Sequence, residues 1–378
     1  MLEFLNNLFG NALEITWQMA VMWLIGAVLV YLAIARDMEP GLLLPLGFGT
    51  ILVNLPFSGA ITWPGTEEGV IDTLYNSGIA NELFPLLLFI GIGAMIDFGP
   101  LLSNPKLMIF GAASQFGIFF TFSMAMFLGF NPMDAGSIAI IGAADGPTSI
   151  AVARAFDTPY IGAIMVAAYS YMALVPLIQP PVIKALTTKK ERLIRMPYQE
   201  KSVSKLTRIL FPIVITVIVG LVSPKAVALV GFLMFGNLIR ECGVLDSLSD
   251  TAQNALANLI TIFLGISIAA RMRADEFLTW QTIMILVLGL VAFVFDTVGG
   301  VLLAKFFNLF LKNKINPMIG ACGISAFPMS ARVIHKMGLK EDPQNFLLMH
   351  SVGVNVSGQV CSVIAGGLIL TLVPKLFG

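Results

Sequence analysis

"IGAADGPTSIAVAR", residues 141–154, decides how this chain is read. The stretch lies in an apolar run, yet it holds an Asp, two glycines, a proline and adjacent hydroxyls. Gly146 and Pro147 break an α-helix: proline lacks the N–H and clashes with the preceding turn, and glycine carries the largest backbone entropy. A carboxylate inside a membrane costs several kcal/mol, so it marks an ion or proton site or needs a cationic partner. Residues 319–332, "IGACGISAFPMSAR", align with the first stretch without a gap, sharing IGA at the start and AR at the end. "FIGIGAM" (89–95) has a counterpart in "FLGISIA" (263–269), and "LGFGTILVN" (46–54) a looser one in "VGFLMFGN" (230–237). Three matches in the same order indicate a duplicated unit.

The rest of the chain shows what these stretches interrupt. Of 378 residues, 57% are hydrophobic and 12% charged, about half the charged share of a soluble domain. Mean hydropathy is +0.89. This is an integral, all-α, polytopic membrane protein, and its zero net charge argues against nucleic acid as a partner. About ten crossings are expected, near 13–35, 41–57, 83–99, 107–130, 159–184, 205–222, 225–240, 251–270, 279–309 and 346–375, each read against the roughly 20 residues a helix needs. Residues 134–156 and 315–337 fit broken-helix hairpins better than simple spans. The N-terminal "MLEFLNNLFGNALEITWQ" has no basic n-region and carries Glu3, so it reads as a retained amphipathic lead-in. Cys242, Cys322 and Cys361 are far apart, and His335 and His350 form no ligand cluster with them, which argues against a transition-metal site.

Orientation follows from Lys and Arg. Residues 184–205 form the most basic loop, whereas 58–82 hold Glu67, Glu68, Asp72 and Glu82 with no Lys or Arg. The positive-inside rule puts the first in the cytoplasm and the second outside. "RMRADE" (271–276) falls outside on this count, against the rule. Each half has an odd number of full crossings, so the copies point in opposite directions, the inverted-repeat plan of secondary transporters. The chain divides into a first repeat at 1–184 with its hairpin near 134–156, a basic cytoplasmic linker at 185–205, and a second repeat at 206–378 with its hairpin near 315–337.

The broken segments carry the chemistry. Asp145, carbonyls freed at Gly146–Pro147, and the hydroxyls of Thr148 and Ser149 are hard oxygen ligands suited to Na⁺. A lone carboxylate also takes a proton, and Asp145 can equally serve as the N-cap of the second half-helix. Its aligned position in the second copy is Gly323, so that hairpin must offer other groups: Ser325, the backbone at Gly320 and Gly323, and Asn316. Arg332 reads either as a positive-inside anchor or as a guanidinium that captures an anion. Tyr171 matters chemically only if it faces Asp145, and Asn355 is a polar amide on an apolar span.

These residues resemble a known family, the beta subunits of the biotin-dependent sodium-translocating decarboxylases, which act in oxaloacetate, methylmalonyl-CoA, glutaconyl-CoA and malonate systems. The signatures are "GAADGPT" (142–148), "YSYMALVPLIQPP" (169–181), "NPMIGACGISAFPMSARV" (316–333) and "DPQNFLLMHSVGVNVSGQV" (342–360). The resemblance implies a multi-pass subunit of the bacterial inner membrane that decarboxylates carboxybiotin, consumes a proton and moves Na⁺ outward. It implies an elevator-type core with two hairpins and a scaffold, and a homotrimer. Its partners would be a biotin carrier subunit, a carboxyltransferase alpha subunit and a small gamma/delta membrane subunit, with biotin borne by the carrier. It puts catalytic roles on Asp145, Tyr171 and Arg332, carboxybiotin on Arg332, and Na⁺ on Asp145, Thr148, Asn316, Gly320, Ser325 and Asn355. The motifs do not separate the soluble partners, so the acyl substrate stays open. No biotinylation motif occurs here, and the linker is too short for a carboxyltransferase domain, so both functions belong to other chains. The other readings are a stand-alone Na⁺/H⁺ antiporter or Na⁺-coupled anion symporter, and a passive membrane anchor for soluble enzymes.

Overall fold

The structure, a computed structural model, describes residues 11–38, 40–197 and 202–377. Among these every regular element is helical. Six helices are long and apolar enough to cross a membrane: α1 (Trp17–Arg36), α2 (Pro105–Phe127), α3 (Lys205–Val222), α4 (Asp246–Arg271), α5 (Trp280–Phe310) and α6 (Leu348–Phe377). Two bent pairs raise the number to eight: Val70–Gly78 with Leu83–Met95, at 63°, and Ile161–Met172 with Leu174–Leu186, at 68°. The expected crossings at 41–57 and 225–240 are shorter helices, Pro40–Val53 of 14 residues and Val227–Cys242 of 16. Most of the N-terminal lead-in (1–10) and part of the basic linker (198–201) lie outside the described residues.

The chain forms two compact units, each drawn from both halves of the sequence: 1–85 with 258–284, and 86–257 with 285–378. In the first unit, α1 opens on Thr16, whose hydroxyl accepts from the Met19 amide, and ends at Asp37 in the left-handed region. It packs on Pro40–Val53 through Gly26 and Gly47; a Cβ on either would stand 2.7 Å from the other's carbonyl oxygen. Small residues let backbones approach in membranes, where packing and not water exclusion drives helix association.

The exceptional "RMRADE" segment belongs to this unit, and its charges are locally answered. The Arg271 guanidinium lies 4.5 Å over the Tyr75 ring and 3.8 Å from Glu276. Arg273 lies 5.5 Å over Trp63 and 3.1 Å from Asp275. Tyr75 and Trp63 belong to residues 58–82, so the segment keeps company with the acidic loop.

The second unit holds both broken segments, and each turns back on itself. In the first, helix Pro132–Ala139 gives way to a 3-10 turn at Ile140–Ala143, and helix Gly146–Ala155 returns. Its mouth is closed by Asp134, whose oxygens accept from Thr158 (2.5 Å) and Asn131 (2.6 Å). In the second, a 3-10 stretch at Pro317–Gly323 leads through the extended Ile324 and a turn at 327–328 to helix Met329–Glu341. Its mouth is held by the linker: the Arg192 carbonyl accepts from Asn316 (2.9 Å) and Asn345 (3.0 Å), and the Arg192 side chain pairs with Glu341 at 2.7 Å. Arg195 reaches Asp342 at 2.6 Å, and Lys305 reaches Glu191 at 3.2 Å. Helix Ile161–Leu186 runs from the mouth of hairpin 1 to the start of the linker, so the two mouths stand at opposite ends of that helix. The tips touch, with the Ser325 amide donating to the Ala143 carbonyl at 3.0 Å.

Candidate functional site

Where the hairpin tips meet, α6 runs past both. Asn355, Gln359 and Ser362 recur at i, i+4 and i+7, which puts them on one helical face, and close approach is permitted by glycine. A Cβ at Gly358 would enter the Gly323 carbonyl and stand 2.9 Å from the Ile324 oxygen. Asn355 donates to the carbonyls of Ile324 (2.7 Å) and Cys322 (3.2 Å), which hairpin 2 frees by leaving the helical pattern. Ser325 returns a bond to the Gly358 carbonyl at 3.1 Å.

One turn further along α6, the stripe reaches Asp145, which is 3% exposed. Asp145 is the N-cap of helix Gly146–Ala155: Oδ1 accepts from the Thr148 amide at 3.2 Å. Oδ2 accepts from the Thr148 hydroxyl (2.7 Å), the Ser362 hydroxyl (3.0 Å) and the Gln359 amide (3.5 Å). All four donors are uncharged. A hydrogen bond to a charged group contributes about 1.5–3 kcal/mol, and such bonds offset part of what burying a carboxylate costs. They do not neutralise it. Two further polar atoms, the Asn355 Oδ1 and the Tyr169 hydroxyl, are buried and make no hydrogen bond. The Tyr169 ring lies against Gly146, where a Cβ would run into it. Carboxylate, amide oxygen, hydroxyls and irregular-backbone carbonyls make a donor set for a small hard cation.

The structure distributes the expected site residues unevenly. It brings together Asp145, Thr148, Ser325 and Asn355. Gly320 lies in hairpin 2 against α5, where a Cβ would stand 3.1 Å from the Val301 amide and enter the Gly300 carbonyl. Asn316 is at the hairpin mouth, its amide spent on the linker carbonyls of Arg192 and Ile194 (2.9 Å each) and its Oδ1 capping Met318. The Tyr171 hydroxyl donates to the Leu286 carbonyl, and its ring packs against Gly289. Tyr169, two residues earlier, is the tyrosine that faces Asp145. Arg332 is exposed on helix Met329–Glu341. Tyr169, Gln359 and Ser362 were not singled out from the sequence. The spacing of 355, 359 and 362 was the available signal for two of them.

The model of the Na⁺-transporting oxaloacetate decarboxylase beta subunit family matches residues 18–373. The chain belongs to this family. It is 50% identical over 358 residues to the glutaconyl-CoA decarboxylase subunit beta of Acidaminococcus fermentans, covering 95% of this chain and 94% of that one. It is 50% identical to the methylmalonyl-CoA decarboxylase subunit beta of Veillonella parvula, covering 94% and 93%. It is 46% identical to the oxaloacetate decarboxylase beta chain of Klebsiella pneumoniae, covering 94% and 95%. Relatives named for three different decarboxylases are thus similar to it at nearly equal identity.

Proposed function

We propose that this chain is the membrane subunit of a sodium-pumping decarboxylase, in which Asp145 carries Na⁺ and proton alternately while carboxybiotin delivered by a partner is decarboxylated. The observation that carries the reading is Asp145 itself: a buried carboxylate at a helix break whose hydrogen-bond donors among the described residues are all uncharged. Na⁺ is the cargo. Asp145, Thr148 and Asn355 are its proposed ligands, with Ser325 and the Gly320 backbone shaping hairpin 2 beneath them and Asn316 holding that hairpin's mouth.

In decarboxylation the N–C bond of carboxybiotin breaks, CO₂ leaves, and the electron pair stays on the ureido nitrogen, which takes one proton. A proton that displaces Na⁺ from Asp145 is therefore consumed by the reaction, and this gives transport its direction. Moving one charge against the membrane potential costs about 2.3 kcal/mol per 100 mV. Arg332, exposed on the helix after hairpin 2, orients the carboxylate of carboxybiotin by bidentate hydrogen bonding. Tyr171 is proposed to position the tip of hairpin 1, and Tyr169 to exchange protons with Asp145.

The ten-crossing, inverted-repeat architecture with an elevator-type core belongs to the same proposal. Support comes from the aligned 141–154 and 319–332 stretches, the two mouths at opposite ends of helix Ile161–Leu186, and the presence of both hairpins in one unit. The proposed assembly is a homotrimer in the bacterial inner membrane with a biotin carrier, a carboxyltransferase alpha subunit and a small gamma/delta subunit. The test is the purified complex carrying Asp145→Asn: loss of Na⁺-stimulated decarboxylation is expected, and Na⁺ stimulation that survives refutes the role.

A further inference from the structure

A second carboxylate lies at membrane depth. Asp296 sits mid-way along α5, is 1% exposed, and pairs with no Lys, Arg or His among the described residues. Both of its oxygens are buried and make no hydrogen bond.

Its surroundings are built for close approach. At Gly142 of hairpin 1, a Cβ would stand 2.9 Å from Asp296 Oδ2 and 2.8 Å from the Ala292 Cβ. At Gly117 of α2, a Cβ would run into Oδ1 and stand 2.5 Å from the Asp296 amide. Two glycines from two elements thus let their backbones close on one carboxylate. The span α2 breaks at Gln115, between Met108–Ser114 and Phe116–Phe127, and capping of that break does not account for the carboxylate. The amides of Gly117 and Ile118 lie beside the carboxylate, but neither attains hydrogen-bond geometry, and Ile118 N–H already donates to the Gln115 carbonyl at 3.1 Å. The same helix carries two more buried oxygens without partners, Gln115 Oε1 two residues before Gly117 and Thr121 Oγ1 four residues after it.

The position is tied to the hairpins. Gly142 and Gly320 are equivalent residues of the two IGA motifs, and α5 meets the first at Asp296 and the second at Gly300, one turn on. At Gly320, α2 places the Ser114 hydroxyl, which donates to the Gly320 carbonyl at 3.3 Å. A carboxylate stands at one hairpin contact and a neutral donor at the other.

We propose that Asp296 is a second intramembrane cation site, holding one monovalent cation, Na⁺ or a proton, against the Gly142 turn of hairpin 1. This rests on the cation-translocating reading above. A buried carboxylate without a protein counter-charge retains its place only with a bound cation, and one that touches the tip of hairpin 1 couples its occupancy to the element that carries Asp145.

The test counts bound cations in the purified complex. Equilibrium binding of radioactive Na⁺ is measured for the wild type, Asp145→Asn, Asp296→Asn and the double variant, alongside the infrared carbonyl band of protonated carboxyls. If the cation is Na⁺, each single variant retains about half of the wild-type stoichiometry and the double variant none. If it is a proton, Asp296→Asn leaves the Na⁺ count unchanged and removes one protonated-carboxyl band. Either result supports the site. If Asp296→Asn alters neither quantity, Asp296 is structural and the proposal fails. Should that variant not assemble, Asp145→Asn alone decides: abolition of all Na⁺ binding with no protonated-carboxyl band left overturns the second site, and either a residual Na⁺ or a residual band supports it. Failure here leaves the Asp145 role standing, because that role is read from Na⁺-stimulated decarboxylation and not from the Na⁺ count or the carboxyl band.

Discussion

The linker's grip on hairpin 2 can be measured as a coupling energy. Arg192 Nε donates to Glu341 at 2.7 Å, and the two side chains are only 13% and 18% exposed, so solvent screens the pair less than it would a surface pair. The Arg192 side chain also donates to the Thr187 carbonyl at 2.6 Å. Removing one hydrogen bond to a charged group costs about 1.5–3 kcal/mol. Arg192→Ala loses both interactions and should cost about 2–4 kcal/mol, while Glu341→Ala loses only the pair. The double variant should fall short of the sum by about 1–2 kcal/mol. The backbone carbonyl of residue 192, which holds Asn316 and Asn345, survives both substitutions, so the cycle isolates the ion pair. Denaturant unfolding of the purified complex in mixed micelles supplies the four stabilities. Simple additivity, with a coupling below about 0.5 kcal/mol, would show that Arg192 and Glu341 do not act as a latch and would refute the reasoning.

Other expectations concern pH, packing and the site. The Arg195 side chain, by hydrogen bonding Asp342, and then the Gln344 amide hold that carboxyl below its usual range. Its contribution to stability is therefore present above the unfolded value of about 3.9 and lost as pH falls through the lower folded value. Asp342→Asn should flatten that acid branch in thermal unfolding, and an unchanged branch counts against the assignment. Gly320→Ala drives a methyl into the Gly300 backbone and should lower the yield of assembled complex severely, whereas Gly59→Ala, with nothing within 4 Å of its Cβ, should not; gel filtration separates the two. Tyr169→Phe removes a buried hydroxyl that has no partner, so Tm should hold or rise, while Na⁺-stimulated decarboxylation falls about tenfold, the loss of roughly 1.4 kcal/mol of barrier lowering. A rate equal to wild type would remove Tyr169 from proton exchange.

Much of the fold was legible because membranes restrict what a sequence can do. Gly146–Pro147 beside Asp145 marked hairpin 1, and the aligned IGA and AR residues led from there to hairpin 2. The charge asymmetry between 58–82 and 184–205 carries the expected orientation, and in its exception, residues 271–276, Arg271 and Arg273 have aromatic and acidic neighbours. What stayed hidden depended on long-range packing. Tyr169 and Tyr171 are two residues apart on one helix, about 200° around its axis, so only the packing of that helix shows which one meets Asp145. Asn316 shows the same dependence, since its amide donates to linker carbonyls more than a hundred residues away in sequence. The bend between Met172 and Leu174 made one smooth apolar run into a broken pair. Gln359 and Ser362 are readable as a polar stripe on α6, and Asp296 as a lone carboxylate in the long apolar run of α5.

The local answering of Arg271 and Arg273 bears on how the chain is built. Synthesis proceeds from the N-terminus, so Trp63 and Tyr75 have been delivered before these arginines emerge. In the orientation that the charge count implies, two cations that positive-inside retention should hold on the near side instead meet ready-made π-faces on the far side, and their own neighbours Asp275 and Glu276 travel with them. A topology that looks like a violation when charges are counted along the string is thus one in which early residues prepare the destination of later ones. Replacing Trp63 and Tyr75 together by leucine should therefore disturb the insertion of the segment around residue 272 before it disturbs any residue of the ion site.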